Sequence, residues 1–302
     1  MKNKLTFLII ITVALISCKK DELDLNGEIK DGFCIVANDK VVLDHNDIDY
    51  YDYSNHLIYL KNKKSFPNDI VDYGTFTVFA DKEEIYSGQL FPPNFTILPS
   101  KPTIFAKHSR YGDYIIPIEY MMNITWDTLG NIMQDPRQDD RIIETLKKHN
   151  QFRAGLSCEI QSVQYLASND VKIELILKNS DSFNYYYLDP NKMGTTLFHY
   201  FTNGLVIRTF GNNYKKYNHK VEAISVEPWN SWNKDWLSII NGNESKTITI
   251  VYDSFEDVPK GQYKATFEFP GLSFQVDKKD IVQDNGPIWL GELNMIKEIT
   301  IE

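Results

Sequence analysis

Apolar and polar residues alternate through several short stretches of this chain. The sequence Val171-Lys172-Ile173-Glu174-Leu175 sends its apolar members to one side before the run turns wholly apolar at Ile176 and Leu177. Thr247-Ile248-Thr249-Ile250 and Tyr263-Lys264-Ala265-Thr266-Phe267-Glu268-Phe269 alternate in the same way. A period of two belongs to half-buried strands. In the first half it predicts strands over 33–43, interrupted by the turn Asn38-Asp39-Lys40, and over 56–60, 75–80, 84–90 and 114–120. In the second half it predicts strands over 158–165, 171–177, 184–188, 197–201, 206–210, 221–226, 246–251, 262–269 and 295–301. One helix is expected, over 139–149. Ile142, Ile143 and Leu146 share a face there, Asp139 and Asp140 open it, and Lys147, Lys148 and His149 close it, an order that suits the helix dipole. The pattern is that of a mainly β protein, and the second half reads as an antiparallel sandwich.

The amino terminus follows a different rule. After Lys2 and Lys4, residues 5–16 are apolar except for Thr6 and Thr12. As a helix this run would reach roughly 18 Å, short of the ~30 Å hydrocarbon core of a bilayer, and its length fits the hydrophobic region of a signal peptide. It ends in Leu15-Ile16-Ser17-Cys18, which resembles the bacterial lipobox. The resemblance implies cleavage after Ser17 and acylation of Cys18, hence attachment to a membrane through a lipid anchor. Lys19-Lys20-Asp21-Glu22 resembles the charged export signal of Bacteroidota lipoproteins, which implies an outer-membrane protein displayed at the cell surface. Read only as a solvated tether, the same residues leave the periplasmic face open. The expected organisation is a signal peptide over 1–17, a lipidated tether over 18–30, a β-rich domain over 31–152 and an immunoglobulin-like sandwich over 156–302, divided where polar residues and Gly155 follow the helix.

Charge narrows the partners. The chain carries a net charge of −9, and loss of residues 1–17 removes two lysines and no acid, leaving −11. An acidic body argues against nucleic acid and against an anionic membrane face. Aromatic residues make up 13% of the chain, mostly Tyr and Phe, which favours strands. Cys34 and Cys158 remain after acylation of Cys18; an oxidising compartment permits their pairing, although a buried thiol at Cys34 is equally ordinary.

Leu175-Ile176-Leu177-Lys178-Asn179, followed by an aromatic strand, resembles the opening of secreted immunoglobulin-like sandwiches. The turn over 239–245 and Pro259-Lys260-Gly261-Gln262-Tyr263 follow in the same order. Over about 158–280 this is similar to the sandwich of the Bacillus intracellular proteinase inhibitor. The similarity implies a fold, and no inhibitory loop can be matched to it residue by residue.

Candidate chemistry is sparse. The histidines at 45, 56, 108, 149, 199 and 219 contain no metal-binding pair at helical spacing. Gly155-Leu156-Ser157 and Gly271-Leu272-Ser273 lack the second glycine of a nucleophile elbow. Asp44-His45-Asn46-Asp47-Ile48-Asp49 is rich in oxygen ligands but lacks the glycine and late glutamate of a calcium loop, and reads as an exposed turn. No catalytic residue, metal ligand or cofactor site is therefore expected. Trp229, Trp232 and Trp236 follow Pro228 at i, i+3 and i+7, and on a helix they would form one aromatic face able to stack on sugar rings. Packing onto the sandwich is the alternative for them. Tyr185-Tyr186-Tyr187 should turn at least one ring outward, and Phe91-Pro92-Pro93-Asn94-Phe95 offers a possible protein contact. The sequons at Asn94, Asn123 and Asn243 and the Asp127-Thr128-Leu129 glycosylation-like motif add little. The expected function is a non-enzymatic envelope module with a protein or glycan partner. The alternatives are a surface hydrolase such as a glycosidase, whose two carboxylates local sequence cannot reveal, and a proteinase-inhibitor-like protein.

Overall fold

The computed structural model describes residues 31–61, 74–92, 100–105, 110–120, 135–166, 169–211, 215–220, 232–269, 271–272 and 275–302. The signal peptide, Cys18, Lys19, Lys20, Asp21, Glu22, the expected strand over 221–226, Trp229, Asn94, Asn123 and the 127–129 motif lie outside them.

The protein is mainly β. In the first half, β1 (Phe33–Ala37) and β2 (Lys40–Leu43) form a hairpin, with Asn38 and Asp39 at positive φ in its turn. They join β5 (Gly74–Ala80), β6 (Glu83–Phe91) and β7 (Thr103–Phe105) in a five-stranded sheet of order β2-β1-β5-β6-β7. Along β5 the alternation puts Phe76, Val78 and Ala80 inside. A second sheet, of order β8-β4-β3-β9, contains β3 (Ile48–Asp52), β4 (Leu57–Leu60), β8 (Ile115–Pro117) and β9 (Phe152–Arg153). Helix α1 (Asp140–Lys148) carries the Asp139 side chain as its N-cap, accepting from Arg141 N, and buries Ile142 and Leu146. Gln151 then fixes the chain beside β3: its Nε2 donates to the carbonyls of His45 (2.5 Å) and Ile48 (2.7 Å).

In the second half, β10 (Leu156–Tyr165), β11 (Val171–Asn179) and β16 (Ser245–Tyr252) form one antiparallel sheet. The other, of order β14-β13-β17-β20, contains β13 (Leu205–Arg208), β14 (Lys216–Asn218), β17 (Gly261–Phe269) and β20 (Leu293–Ile301). The alternating positions Val171, Ile173, Leu175 and Leu177 of β11, Ile248 and Ile250 of β16, and Tyr263, Ala265, Phe267 and Phe269 of β17 contribute to one core. A small pair, β12 (Tyr185–Leu188) with β15 (Leu237–Ile240), adds Tyr185, Tyr187, Leu188, Leu237 and Ile240 to the same core. The long β17–β20 connection adds the hairpin of β18 (Val282–Gln283) and β19 (Gly286–Pro287).

Several expectations need correction. Residues 197–201 are helical: α2 (Pro190–Met193) and α3 (Thr195–Thr202) interrupt the second half, where no helix was expected. The β-prone residues of α3 yield to packing, because Phe198 is buried and stacks on Phe267 at 5.9 Å. Asp189 caps α2, and Asn203 ends α3 in the left-handed conformation. The acidic turn is shorter than expected, since Ile48 and Asp49 already belong to β3. Likewise the turn before β16 is shorter, because residues 239 and 240 lie in β15. Cys34 and Cys158 are both free thiols.

The two halves share a sheet. In β4 the side chains of Ile58 and Leu60 enter the first core, with Tyr51, while Leu57 and Tyr59 enter the second, with Tyr50. A strand buried on both faces reads as a continuous apolar run, and Leu57-Ile58-Tyr59-Leu60 is one.

Candidate functional site

A cavity of about 350 Å³ lies on this shared seam, within the size range of small-molecule sites. The first half supplies Asp49 and Tyr50 from β3, Tyr59 and Leu60 from β4, Tyr114, and Arg153 from β9. Phe183, just before β12, and Lys278, Ile281, Val282 and Pro287 of the β17–β20 connection complete the lining.

Arg153 is held through its backbone. Phe152 and Arg153 pair in parallel with Tyr51 and Asp52, and Tyr53 N donates to Arg153 O at 2.9 Å. The chain then turns sharply at Gly155, whose φ is +74°. A Cβ there would meet Ser54 Oγ at 2.3 Å and Asp52 Oδ1 at 2.4 Å, so only glycine fits. The amides of Ala154 and Gly155 both donate to the Asp181 carboxylate at 2.9 Å, and that carboxylate also accepts from Tyr185 OH at 2.8 Å. With its backbone so fixed, Arg153 places its guanidinium carbon 3.4 Å from the Tyr50 ring centroid and 4.7 Å from that of Phe183. Tyr50 stacks in turn on Tyr59, centroids 4.1 Å apart. Burial raises the phenol pKa of Tyr50, Tyr59 and Tyr114, so this floor stays neutral. Lys278 Nζ donates to the carbonyls of Leu60 and Lys61, both at 2.5 Å, and Tyr114 OH donates to Val276 O at 2.7 Å. These bonds tie the β17–β20 connection to the first half.

Behind the cavity lies Asp52, 2% exposed. Its Oδ1 accepts from Ser54 N at 3.0 Å and Ser54 Oγ at 2.6 Å. Burial pushes its pKa up to about 6, the Ser54 bonds oppose the shift, and the Asp181 charge adds to it. The buried indole N–H of Trp289, which makes no hydrogen bond of regular geometry, also favours the ionised form. Asp52 and Asp181 thus form a carboxylate cluster at the seam, but neither lines the cavity.

The tryptophan segment takes another form than the expected single helix. Trp232 precedes a one-turn 3₁₀ helix, Lys234–Trp236, capped by the Asn233 side chain. Trp232 and Trp236 are half-buried against the second core, and Trp236 lies 6.0 Å from Phe201. Tyr200, 45% exposed, extends this aromatic strip outward. Among the acidic-turn residues, Asp44 Oδ1 accepts from Asn46 N at 2.7 Å, an Asx turn. Distant histidines meet in pairs, His45 with His149 (4.4 Å between ring centroids) and His199 with His219 (5.5 Å). Tyr51, His56, Asp135 and Arg137 form a further buried chain: Tyr51 OH is 3.0 Å from His56 Nδ1, and Arg137 is paired with Asp135. Among the described residues no group of three or more His, Cys, Asp or Glu side chains is placed to hold a metal ion, and no helix is long and apolar enough to cross a membrane.

The cavity collects residues from six separate parts of the chain, and none of them forms a local motif. Of these residues, the sequence pattern placed Tyr59, Leu60 and Tyr114 in expected strands, which marks burial and not a site. No protein-family model matches the chain, and comparison with curated proteins gives no match.

Proposed function

We propose that this chain is an outer-membrane lipoprotein, anchored by acyl groups on Cys18 and facing the cell surface, whose globular part is a non-enzymatic binding module. The observation that carries the reading is the seam cavity, a concave site built by both halves and lined by aromatic side chains around one arginine. Concave, mostly apolar sites with a few placed polar groups are the usual form of a ligand pocket. The facing of β10-β11-β16 against β14-β13-β17-β20 across one core supports an immunoglobulin-like arrangement for the second half, whose β11–β12 and β17–β20 connections contribute to the cavity. A hydrolase would draw on Asp52, whose pKa is raised, but that carboxylate is enclosed and bonded to Ser54. The binder is therefore the better reading. Between its two partner classes, a cavity of this size suits a glycan unit better than a protein surface.

The test is a glycan array and an envelope pull-down with the full chain, beside Phe183→Ala and Trp232→Ala/Trp236→Ala variants checked for folding. Glycan binding lost in Phe183→Ala and kept in the tryptophan variant supports the cavity. Loss in the tryptophan variant alone moves the site to the aromatic strip, and the absence of any glycan signal overturns the glycan reading.

A further inference from the structure

Resting on that reading, the structure assigns a chemical class to the ligand: we infer that the seam cavity binds an acidic sugar, its carboxylate on Arg153 and its ring hydroxyls toward Asp49. The inference begins with what the lining leaves unsatisfied. Tyr114 OH is committed to Val276 O, Tyr50 has a side-chain hydrogen bond with Tyr59, and Lys278 uses two of its three donors on carbonyls. Arg153 is different. Among the described residues its guanidinium has ring contacts with Tyr50 and Phe183 but no hydrogen bond or ion pair.

Rings against the face of a guanidinium occupy its π surface and leave the N–H edges free in the plane. That edge carries the paired donors that match a carboxylate, and the rings hold it in place so that little side-chain freedom is lost on binding. The half-buried setting strengthens such a bond, and Lys278 adds a second positive charge to the same lining. The lining thus carries two positive charges against one carboxylate, that of Asp49.

The other features define the rest of the ligand. Asp49 is exposed at the cavity, and among the described residues it has no hydrogen-bond or ion-pair partner. It accepts only, so it calls for a donor such as a ring hydroxyl. Phe183, Pro287 and Val282, the last 67% exposed, provide apolar walls for the C–H faces of a sugar ring. A plain aryl acid would satisfy Arg153 and the walls but not Asp49, whereas a neutral sugar would leave Arg153 unpaired.

The experiment is isothermal titration of the full chain with methyl β-D-glucuronide, methyl β-D-glucoside and hydrocinnamate. The expected result is glucuronide binding at least about tenfold tighter than glucoside, the scale of one charge-assisted hydrogen bond. Arg153→Gln should abolish that preference, Arg153→Lys should retain part of it, and added salt should weaken glucuronide binding while leaving glucoside binding unchanged. The salt series needs no variant, so it decides the point even if Arg153→Gln unfolds. A preference that survives Arg153→Gln, or is insensitive to salt, overturns the assignment of the carboxylate. Hydrocinnamate binding as tightly as glucuronide overturns the sugar and leaves an aryl acid. Equal binding of both sugars, lost in Phe183→Ala, overturns the acidic class while the cavity stands as a binding site. If no probe binds and Phe183→Ala leaves the array pattern unchanged, the inference falls and the cavity falls with it as the binding site.

Discussion

Asp52 is a single carboxylate enclosed where two cores meet, and it makes stability depend on pH in a definite direction. Its folded pKa of about 6 lies above the ordinary 3.8, so between those values the folded chain keeps a proton that the unfolded chain has released. Stability therefore falls as pH rises from about 4 through 6, and the cost persists above it. Asp52→Asn keeps an acceptor for both Ser54 donors and removes the charge. It should stabilise the protein at pH 7.5 by on the order of 2 kcal/mol and leave it nearly unchanged at pH 4. Urea unfolding at the two pH values measures this, and a loss of stability at pH 7.5 would mean that the charge has an attractive partner. Histidines act in the opposite sense. Burial pushes His199 down to about 4, with the neighbouring His219 adding to it, and burial with the Arg137 charge holds His56 below its ordinary value. Stability contributed by keeping these rings neutral is present above about 6.5 and is lost as pH falls toward their folded values.

Among the elements, β4 is the most consequential. Adjacent residues of this strand serve different cores, Ile58 the first and Tyr59 the second. Ile58→Ala and Tyr59→Ala should each cost about 3 kcal/mol, and both should lower the midpoint of one shared unfolding transition. Chemical denaturation followed by fluorescence and by circular dichroism checks this, and two separated transitions would mean that the halves unfold independently. Elements also divide by how readable they were. Strands β5, β11, β16 and β17 alternate, each with one buried face, and α1 has its Asp139 cap and a coherent apolar face, so local pattern suffices for them. Strand β3 was hidden because Asp49 and Asp52 make it resemble a polar turn, and Asp52 is tolerated inside through the donors of Ser54 and the indole of Trp289. Helix α3 was misread because Phe198, Tyr200 and Phe201 favour strands until a partner such as Phe267 is in place. The cavity was illegible for a related reason. Arg153 matters through Tyr50 and Phe183, and no spacing rule links those three residues.

At the scale of the whole molecule, the β17–β20 connection reaches back across the seam. Lys278 holds the carbonyls after β4, Tyr114 holds Val276, and the Arg110 side chain meets Glu292 at 3.1 Å. The same connection lines the cavity, so a ligand held there would also strengthen the joining of the halves. The anchor proposal belongs to this scale too. Cys18→Ala should abolish incorporation of labelled palmitate and release the protein from the membrane fraction; unchanged labelling would refute the assignment.

The position of β1 has a mechanical consequence. It is the first strand of the described chain, yet it lies inside its sheet, paired with β2 on one side and β5 on the other. A pull arriving from the amino-terminal side enters at Asp31 and runs along β1. Its hydrogen bonds to two neighbours then bear the load together, in shear, instead of parting one after another. A body held by an anchor at its amino end would thereby be fastened through two strand pairings at once.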